Sequence, residues 1–507
     1  MLYTLRKDGT FMKSRKIVFI MTDSQRWDMV NCYRNTGLST PSLDRMAAEG
    51  VRFERAYDAQ PVCQAARAGI FTGQFPHTCC SWANCMGLAD NTHTLGERLA
   101  DHGVHTAYIG KWHLDGGDYF GLGRCPKGWD PAYWYDMKNY LDELSPEDRV
   151  RSRKPSTMEG EGISADFTFA HRCSNRGIDF LQKHGQEDFF LVVSYDEPHD
   201  PALCPKPYSE MYKDYCFPKS PNVYDDMADK PEHQRVWAGA QLDADKDALT
   251  IQWPGFFGCN SFADSEIGRM LDAVEQYAPD ALVIYTSDHG DMACSHSLYA
   301  KGPAAYDEII RVPLLMKGPG LKPGTVDPHP VSHLNLAPTI MELMGLPVPK
   351  VFEGISILPE LEDPSVRCNE YVFTEFGRYE IDHDGFGGFQ PMRAAFDGRY
   401  KLVINLLTSD ELYDLETDPG ELVNLINSPD HAAVRDRIHD AILDNMNRTR
   451  DPFRGYYWER RPWRTDAAPA TWDYTLMTRQ REEEDYEERQ LDYSTGLPIV
   501  EATRKKG

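Results

Sequence analysis

The stretch "PVCQAARAGIFTG", residues 61–73, sets Cys63 four residues ahead of Arg67, in a run of small side chains that closes on Thr-Gly. If Cys63 opens a helix, Arg67 lies one turn on and faces the same side. Helix amides and guanidinium would then surround the sulfur with positive potential, and a plain thiol there is a low-pKa nucleophile. Four further polar groups each follow a short apolar run: Asp23 after residues 17–21, Lys111 and His113 after 104–109, His199 after 189–195, and Asp288, His289 and Asp291 after 281–286. Singly, Asp23 could be a helix cap, and His113 and His199 each read equally well as a satisfied loop residue. Ligands of an open parallel sheet bind beyond the carboxyl ends of its strands, so four such coincidences converge on one site. Asp23, Asp288 and His289 offer hard carboxylates and one imidazole, a set suited to a divalent cation. Arg67, Lys111 and Lys301 bring positive charge to the same edge, and a metal gathered with several cations suits a tetrahedral oxyanion ester. Beside a hard cation a thiolate attacks such an ester poorly. The residues alone call for an oxygen nucleophile where sulfur is encoded, and leave that conflict open.

The elements that must position these residues are legible from pattern. Runs 17–21, 104–109, 189–195, 281–286 and 312–316 are short and nearly continuously apolar, as strands buried on both faces of a parallel sheet are. Between them, Thr40-Pro41 predicts an N-cap and N1 proline, with Gly50 as the stop. Thr94 and Glu97 predict a capping box on a helix that stops at Gly103, and Ala337-Pro338 opens another that ends at Gly345. From about residue 370 the pattern changes to short strands, "YVFTEF", "MRAAF", "RYKLVI" and "DELYDL", with Asp397-Gly398 as a hairpin turn and a helix over 433–446. The expected fold is α/β: a large, mostly parallel sheet flanked by helices, with a smaller C-terminal antiparallel α+β subdomain. The expected boundaries are an extension over 1–14, a catalytic domain over 15–365, the subdomain over 366–460, and a tail over 461–507 that packs on the body or on a neighbouring subunit of a homo-oligomer.

Bulk properties narrow the function. Acidic residues outnumber basic ones 79 to 54 in 507, a net charge of −25 that repels nucleic acid at a distance. No apolar run approaches the ~20 residues of a membrane helix, and the run at 17–21 reads as a strand rather than a signal-peptide core. Twelve cysteines make no C-x-x-C pair and no zinc spacing. A cytoplasmic protein with no nucleic-acid or membrane partner is expected.

The motifs "FIMTDSQRWD", "CQAARAGIFTG", "GKWHL", "EPHDP", "SDHGD", "HSLYAKGP" with "IRVPLLMKGPG", and "RYKLVIN" with "DELYDLETDPGELVNL" occur in the order of one family. Over residues 15 to 450 the chain resembles the type I sulfatases of the alkaline-phosphatase-like superfamily. That resemblance implies that a sulfatase-maturating enzyme oxidises Cys63 to formylglycine, whose hydrate attacks the sulfur of the ester. It implies a metal at Asp23, Asp288, His289 and the modified Cys63. Calcium is the family default, and magnesium or manganese suit the set. It further implies Arg67 holding the diol, Lys111 and Lys301 on sulfate oxygens, His199 as general acid on the departing alcohol, His113 as the base that expels sulfate, and Asn84 of "SWANC" as a substrate-contacting amide. Two departures stand out. Ala65 replaces the proline of the C-x-P-x-R modification motif, and Asp23-Ser24 with Asp288-His289 stand where many members have Asp-Asp and Asp-Asn. A phosphonate monoester or phosphodiester hydrolase on the same scaffold is the alternative, and a non-catalytic binder of sulfated ligands a more distant one. The expected substrate is a small carbohydrate sulfate, such as a glycosaminoglycan-derived saccharide. The aromatic segment around His383 reads as a lining for a sugar-sized pocket or as a plain Gly-rich surface loop.

Overall fold

In a computed structural model, the structure describes residues 13–116, 119–380, 388–468 and 496. Seven strands form one sheet: β1 (Lys16–Thr22), β2 (Val51–Tyr57), β3 (His105–Gly110), β4 (Phe189–Ser194), β5 (Leu282–Ser287), β6 (Arg311–Lys317) and β7 (Thr325–Ser332). Their order across the sheet is β3-β4-β1-β5-β6-β2-β7. Among the described strands only β6 runs against its neighbours, so the sheet is mostly parallel as expected but mixed. The five apolar runs are β1, β3, β4, β5 and β6. The other two strands are corrections. The two prolines in β7 argue against a central strand, and β7 lies at the sheet edge, where a missing N–H costs no ladder bond. In β2 the charged residues Arg52, Glu54 and Arg55 mask the alternation of a half-buried strand.

Helices cover the faces: α1 (Pro41–Glu49), α2 (Cys63–Thr72), α3 (Leu95–Asp101), α4 (Phe169–His184), α5 (Pro254–Tyr277) and α6 (Leu336–Leu343). Their caps differ in part from expectation. The Thr40 hydroxyl accepts from Asn31 N–H instead of capping α1. That duty falls to Asp264 of α5, whose two oxygens take the Ser42 and Leu43 amides at 2.9 Å each. Thr94 caps α3 through Glu97 N–H, but the Glu97 carboxylate pairs with Lys127 and closes no box. Gly103 ends that helix in the left-handed region, φ 77°.

The C-terminal strands β8 (Val372–Phe376), β9 (Met392–Phe396), β10 (Tyr400–Asn405) and β11 (Glu411–Asp414) form an antiparallel meander. The helix α7 (Ala432–Thr449) lays Ile438, Ile442, Leu443 and Met446 on it. Asp397-Gly398 makes the β9–β10 turn, with Gly398 at φ 99° and Asp397 Oδ1 accepting from the Arg399 and Tyr400 amides. This small sheet leans on the segment just before Cys63: Glu375 N–H bonds the Ala59 carbonyl and Thr374 Oγ1 bonds that of Asp58. Arg461 and Trp463 reach back to Asp410, and Arg464 to Asp440 of α7.

Candidate active site

Strand register brings the polar residues together. Gly110 of β3 pairs with Ser194 of β4, Ser194 with Met21 of β1, and Thr22 with Ser287 of β5. The four strands therefore end on one line, and Lys111, Asp196, Asp23 and Asp288 issue from it within a residue or two. Gly110 has no alternative here, because a Cβ would stand 1.9 Å from the Ser194 carbonyl oxygen. Two residues of the site, Ser24 at φ 62° and His113 at φ 57°, hold left-handed backbone despite carrying side chains, a strain that recurs at functional sites.

Helix α2 is buried along its whole length, which its Ala and Gly residues permit. Cys63 opens it without a side-chain cap from Val62. The amide of Gln64 instead donates to Asn84 Oδ1 at 3.0 Å, so the oxygen of the expected substrate-contacting amide serves the helix end. Arg67, one turn on, is fully buried and spends its guanidinium on the site's frame. Nε donates to Asp288 Oδ2 (3.0 Å), Nη2 to Asp23 Oδ2 (3.0 Å), and Nη1 to the Lys111 carbonyl (2.6 Å) and Ser194 Oγ (2.9 Å). Lys111 Nζ lies 2.7 Å from Asp23 Oδ2 and 3.0 Å from Asp196 Oδ1.

One oxygen of each carboxylate is thus committed to cations, and the other faces His289, whose Nε2 stands 4.0 Å from Asp23 Oδ1 and 3.7 Å from Asp288 Oδ1. His289 Nδ1 lies 2.8 Å from the Gly290 carbonyl, which can only accept. The neutral ring therefore carries its proton on Nδ1 and turns the Nε2 lone pair to the two oxygens, the tautomer a metal requires. Cys63 Sγ completes the cluster at 3.1 Å from His289 Nε2 and 3.8 Å from Asp23 Oδ1, and all four ligand atoms lie within 4.8 Å of one another. Two hard oxygens, an imidazole nitrogen and a side chain that oxidation would turn into an oxygen donor fit a divalent cation. Asp291 takes no part, its Oδ1 accepting from Ala293 N–H.

On the other side of Cys63 stand the cations. Lys301 Nζ donates to Sγ at 2.9 Å, and His113 is within electrostatic range of the same sulfur, with its Nδ1 buried without a partner among the described residues. Burial and Asp23 push the Cys63 thiol up, but Lys301, Lys111 and His289 hold it well below its ordinary value. Burial raises Asp23 as well, and Lys111, His199, Lys301 and Arg67 overcome it, so that carboxyl stays ionised. Burial and the charge of Asp23 push Asp288 up to about 6. Burial, helped by Lys111 and Arg67, lowers His113, which keeps the ring neutral, with a lone pair that can accept a proton. His199, at the rim, has Nδ1 2.9 Å from the Asp200 carbonyl and Nε2 4.0 Å from Asp23 Oδ1.

Apart from Asp291, the residues expected from sequence, Asp23, Cys63, Arg67, Asn84, Lys111, His113, His199, Asp288, His289 and Lys301, meet at this edge. Sequence reasoning missed Asp196 and Tyr119. The Tyr119 hydroxyl donates to Asp196 and lies 3.2 Å from His199 Nδ1, and its ring carries Lys111 Nζ 4.0 Å from the centroid. Asp196 sits two residues past a strand end and was open to the same rule that found His199. Tyr119 comes from a loop with no pattern of its own. In the aromatic segment around His383, residues 381–387 lie outside the described residues, and the Tyr379 carbonyl accepts from Asn84 N–H. A second buried group, His77, Glu375 and Asp451, is neutralised by Arg393 Nε 2.5 Å from Asp451 and has no need of an ion.

Comparison with known proteins places the whole chain in a family. The family model described as Sulfatase matches residues 15–346, and that of the N-sulphoglucosamine sulphohydrolase C-terminal region matches residues 295–448. The chain is 45% identical over 504 residues to the uncharacterized sulfatase YidJ of Escherichia coli (strain K12), covering 98% of this chain and 99% of that one. It is 23% identical over 493 residues to the N-acetylglucosamine-6-O-sulfatase of Bacteroides thetaiotaomicron, covering 87% of each. The crystal structure of the phosphonate monoester hydrolase of Agrobacterium radiobacter superposes with a TM-score of 0.71 at 23% identity, over 86% of this chain and 96% of that one, and shares the fold. A family match over most of the length, together with a relative 45% identical over 98% of the chain, means that this chain belongs to the sulfatase family and is a sulfuric ester hydrolase.

Proposed function

We propose that the protein hydrolyses the sulfate ester of a small carbohydrate, with Cys63 converted to formylglycine by a maturating enzyme and a divalent cation, calcium by preference, at Asp23, Asp288 and His289. The observation that carries this reading is the place of Cys63. Its side chain touches the donor cluster through His289 and the cationic pocket through Lys301. When bound, the cation would supply positive charge to the ester oxygens and to the oxygen at position 63. Lys301 and Lys111 hold the sulfate oxygens, and Arg67 fixes the facing carboxylates so that the donors keep their places. His199 gives a proton to the departing alcohol oxygen. Its Nδ1 is tied to the Asp200 carbonyl, so Nε2 is the nitrogen turned toward the pocket. His113, neutral and against position 63, takes the proton whose loss releases sulfate there. The carbohydrate class is supported by the relative named for N-acetylglucosamine 6-O-sulfate. Twelve cysteines, none in a disulfide, support a reducing compartment such as the cytoplasm. No described helix is long and apolar enough to cross a membrane.

The test is protein co-produced with a maturase. Mass spectrometry of the Cys63 peptide should show the lighter formylglycine, and turnover of an aryl sulfate should exceed that of an aryl phosphonate ester and vanish in Cys63→Ala. Full turnover by protein that retains the thiol would overturn the proposed nucleophile. A preference for the phosphonate would assign the alternative reaction, and bound sulfated ligand without turnover a binding role.

A further inference from the structure

Arg153 is a cation near the active site whose side chain has aromatic rings for neighbours. It follows a short helix, Pro146–Arg151, and is half-buried. Its guanidinium carbon lies 5.1 Å from the Phe120 ring centroid and 5.8 Å from that of Tyr119. Among the described residues it donates no side-chain hydrogen bond and makes no ion pair, whereas its neighbours Arg149 and Arg151 pair with Asp142 and Asp148. Contact with aromatic rings leaves the guanidinium donors free for other partners.

The rings that hold Arg153 belong to the active site. Tyr119 carries Lys111 Nζ at 4.0 Å, and its centroid lies 5.3 Å from that of His199 and 5.5 Å from that of His113. Arg153 also lies within electrostatic range of Asp196, the carboxylate that pairs with Lys111. Arg153, without a side-chain hydrogen bond or ion pair among the described residues, thus stands one aromatic ring away from Lys111 and His199, close enough to meet a group on the substrate beside the ester. Planar guanidinium donors match a carboxylate or a sulfate two bonds at a time.

We propose that Arg153 is an outer anion subsite, and that the substrate is a saccharide bearing a second oxyanion, a carboxylate or another sulfate, beside the ester that is cleaved. This rests on the sulfatase reading above and specifies its substrate class. Every other cation of the pocket is spoken for: Arg67 and Lys111 by carboxylates and Lys301 by position 63. A second anion on the substrate would find its partner only at Arg153 among the groups described around Tyr119.

The experiment uses enzyme with verified formylglycine and compares kcat/KM for an aryl sulfate, N-acetylglucosamine 6-sulfate, a glucosamine 2-N,6-O-disulfate and a sulfated uronate disaccharide. The wild type should prefer one doubly anionic sugar over the singly charged one, and which of the two it prefers identifies the second group as sulfate or carboxylate. Arg153→Gln should shrink that preference by about 10- to 100-fold, the range of a charge-assisted hydrogen bond, chiefly through KM. Arg153→Lys should keep part of it. Equal losses on singly and doubly charged sugars, no preference in the wild type, or turnover of the aryl sulfate alone would each overturn the subsite and leave the sulfatase reading standing. Should Arg153→Gln fail to fold, wild-type KM against salt decides: a steeper rise for the doubly charged sugar supports the subsite, and equal slopes overturn it. Failure on every sulfate with turnover of a phosphonate would overturn the sulfatase reading itself and the subsite with it.

Discussion

At the scale of single residues, the site separates groups that hold from groups that react. Arg67 is saturated by Asp23, Asp288, Ser194 and the Lys111 carbonyl, which makes it a positioning residue for the candidate metal donors. His199 is different. It sits at the rim with its side chain 21% exposed, and Nε2 points toward Asp23 and the pocket. A general acid matters in proportion to how poorly the leaving group departs unaided. His199→Ala should therefore lower kcat on a sugar sulfate by about 10²- to 10⁴-fold but cost far less on 4-nitrophenyl sulfate, whose phenolate leaves readily. The ratio of the two kcat losses is the measurement, and equal losses would remove His199 from that role.

At the scale of elements, the site was legible because strand ends are. The apolar runs of β1, β3, β4 and β5 located the edge, and the register that aligns Gly110, Ser194, Met21 and Thr22 made the polar residues beyond them neighbours. What pattern could not reveal was long-range substitution of one group for another. Thr40 has the right type and place for an N-cap, yet its hydroxyl goes to Asn31, and Asp264, 222 residues from Ser42, does the capping. The partners of Arg67 are equally distant: Asp288 lies 221 residues on, a pairing no local period encodes. β7 hid behind prolines that only an edge strand tolerates, and Tyr119 behind a loop. The Asp264 cap carries a prediction of its own. Asp264→Ala would strip two amides of their acceptor in a buried place, where burial already pushes that carboxyl up to about 6. The variant should lose about 2 kcal/mol, read from the urea midpoint, with the m-value unchanged. An unchanged midpoint would mean that Ser42 and Leu43 find other acceptors.

At the scale of the whole molecule, the two sheets are locked by buried charge. Lys401 of β10 pairs with Asp307 and Glu421, and Arg393 of β9 with Asp451 and Glu375 around His77. Behind the small sheet, His439 of α7 is buried with Nε2 2.7 Å from the Trp458 carbonyl, so Nε2 carries the proton, and Nδ1 faces Arg464 Nη1 at 3.4 Å as an acceptor. A second proton would have to enter beside Arg464 and Arg461, offset by the Trp458 carbonyl and Asp440. Burial first, and then those two guanidiniums, push His439 down to about 4. The unfolded chain takes up a proton near pH 6.5, whereas the folded one refuses it until about pH 4. This contribution to stability is therefore complete above pH 6.5 and is lost progressively as the pH falls toward 4. The expected loss between pH 7 and 5 from this residue is about 2 kcal/mol, at 1.36 kcal/mol per pH unit below 6.5. His439→Gln keeps a donor for the Trp458 carbonyl but has no proton to gain. Urea midpoints at pH 7 and 5 should therefore differ less in the variant than in the wild type by that amount, and parallel pH dependences would show that His439 is protonated in the folded chain.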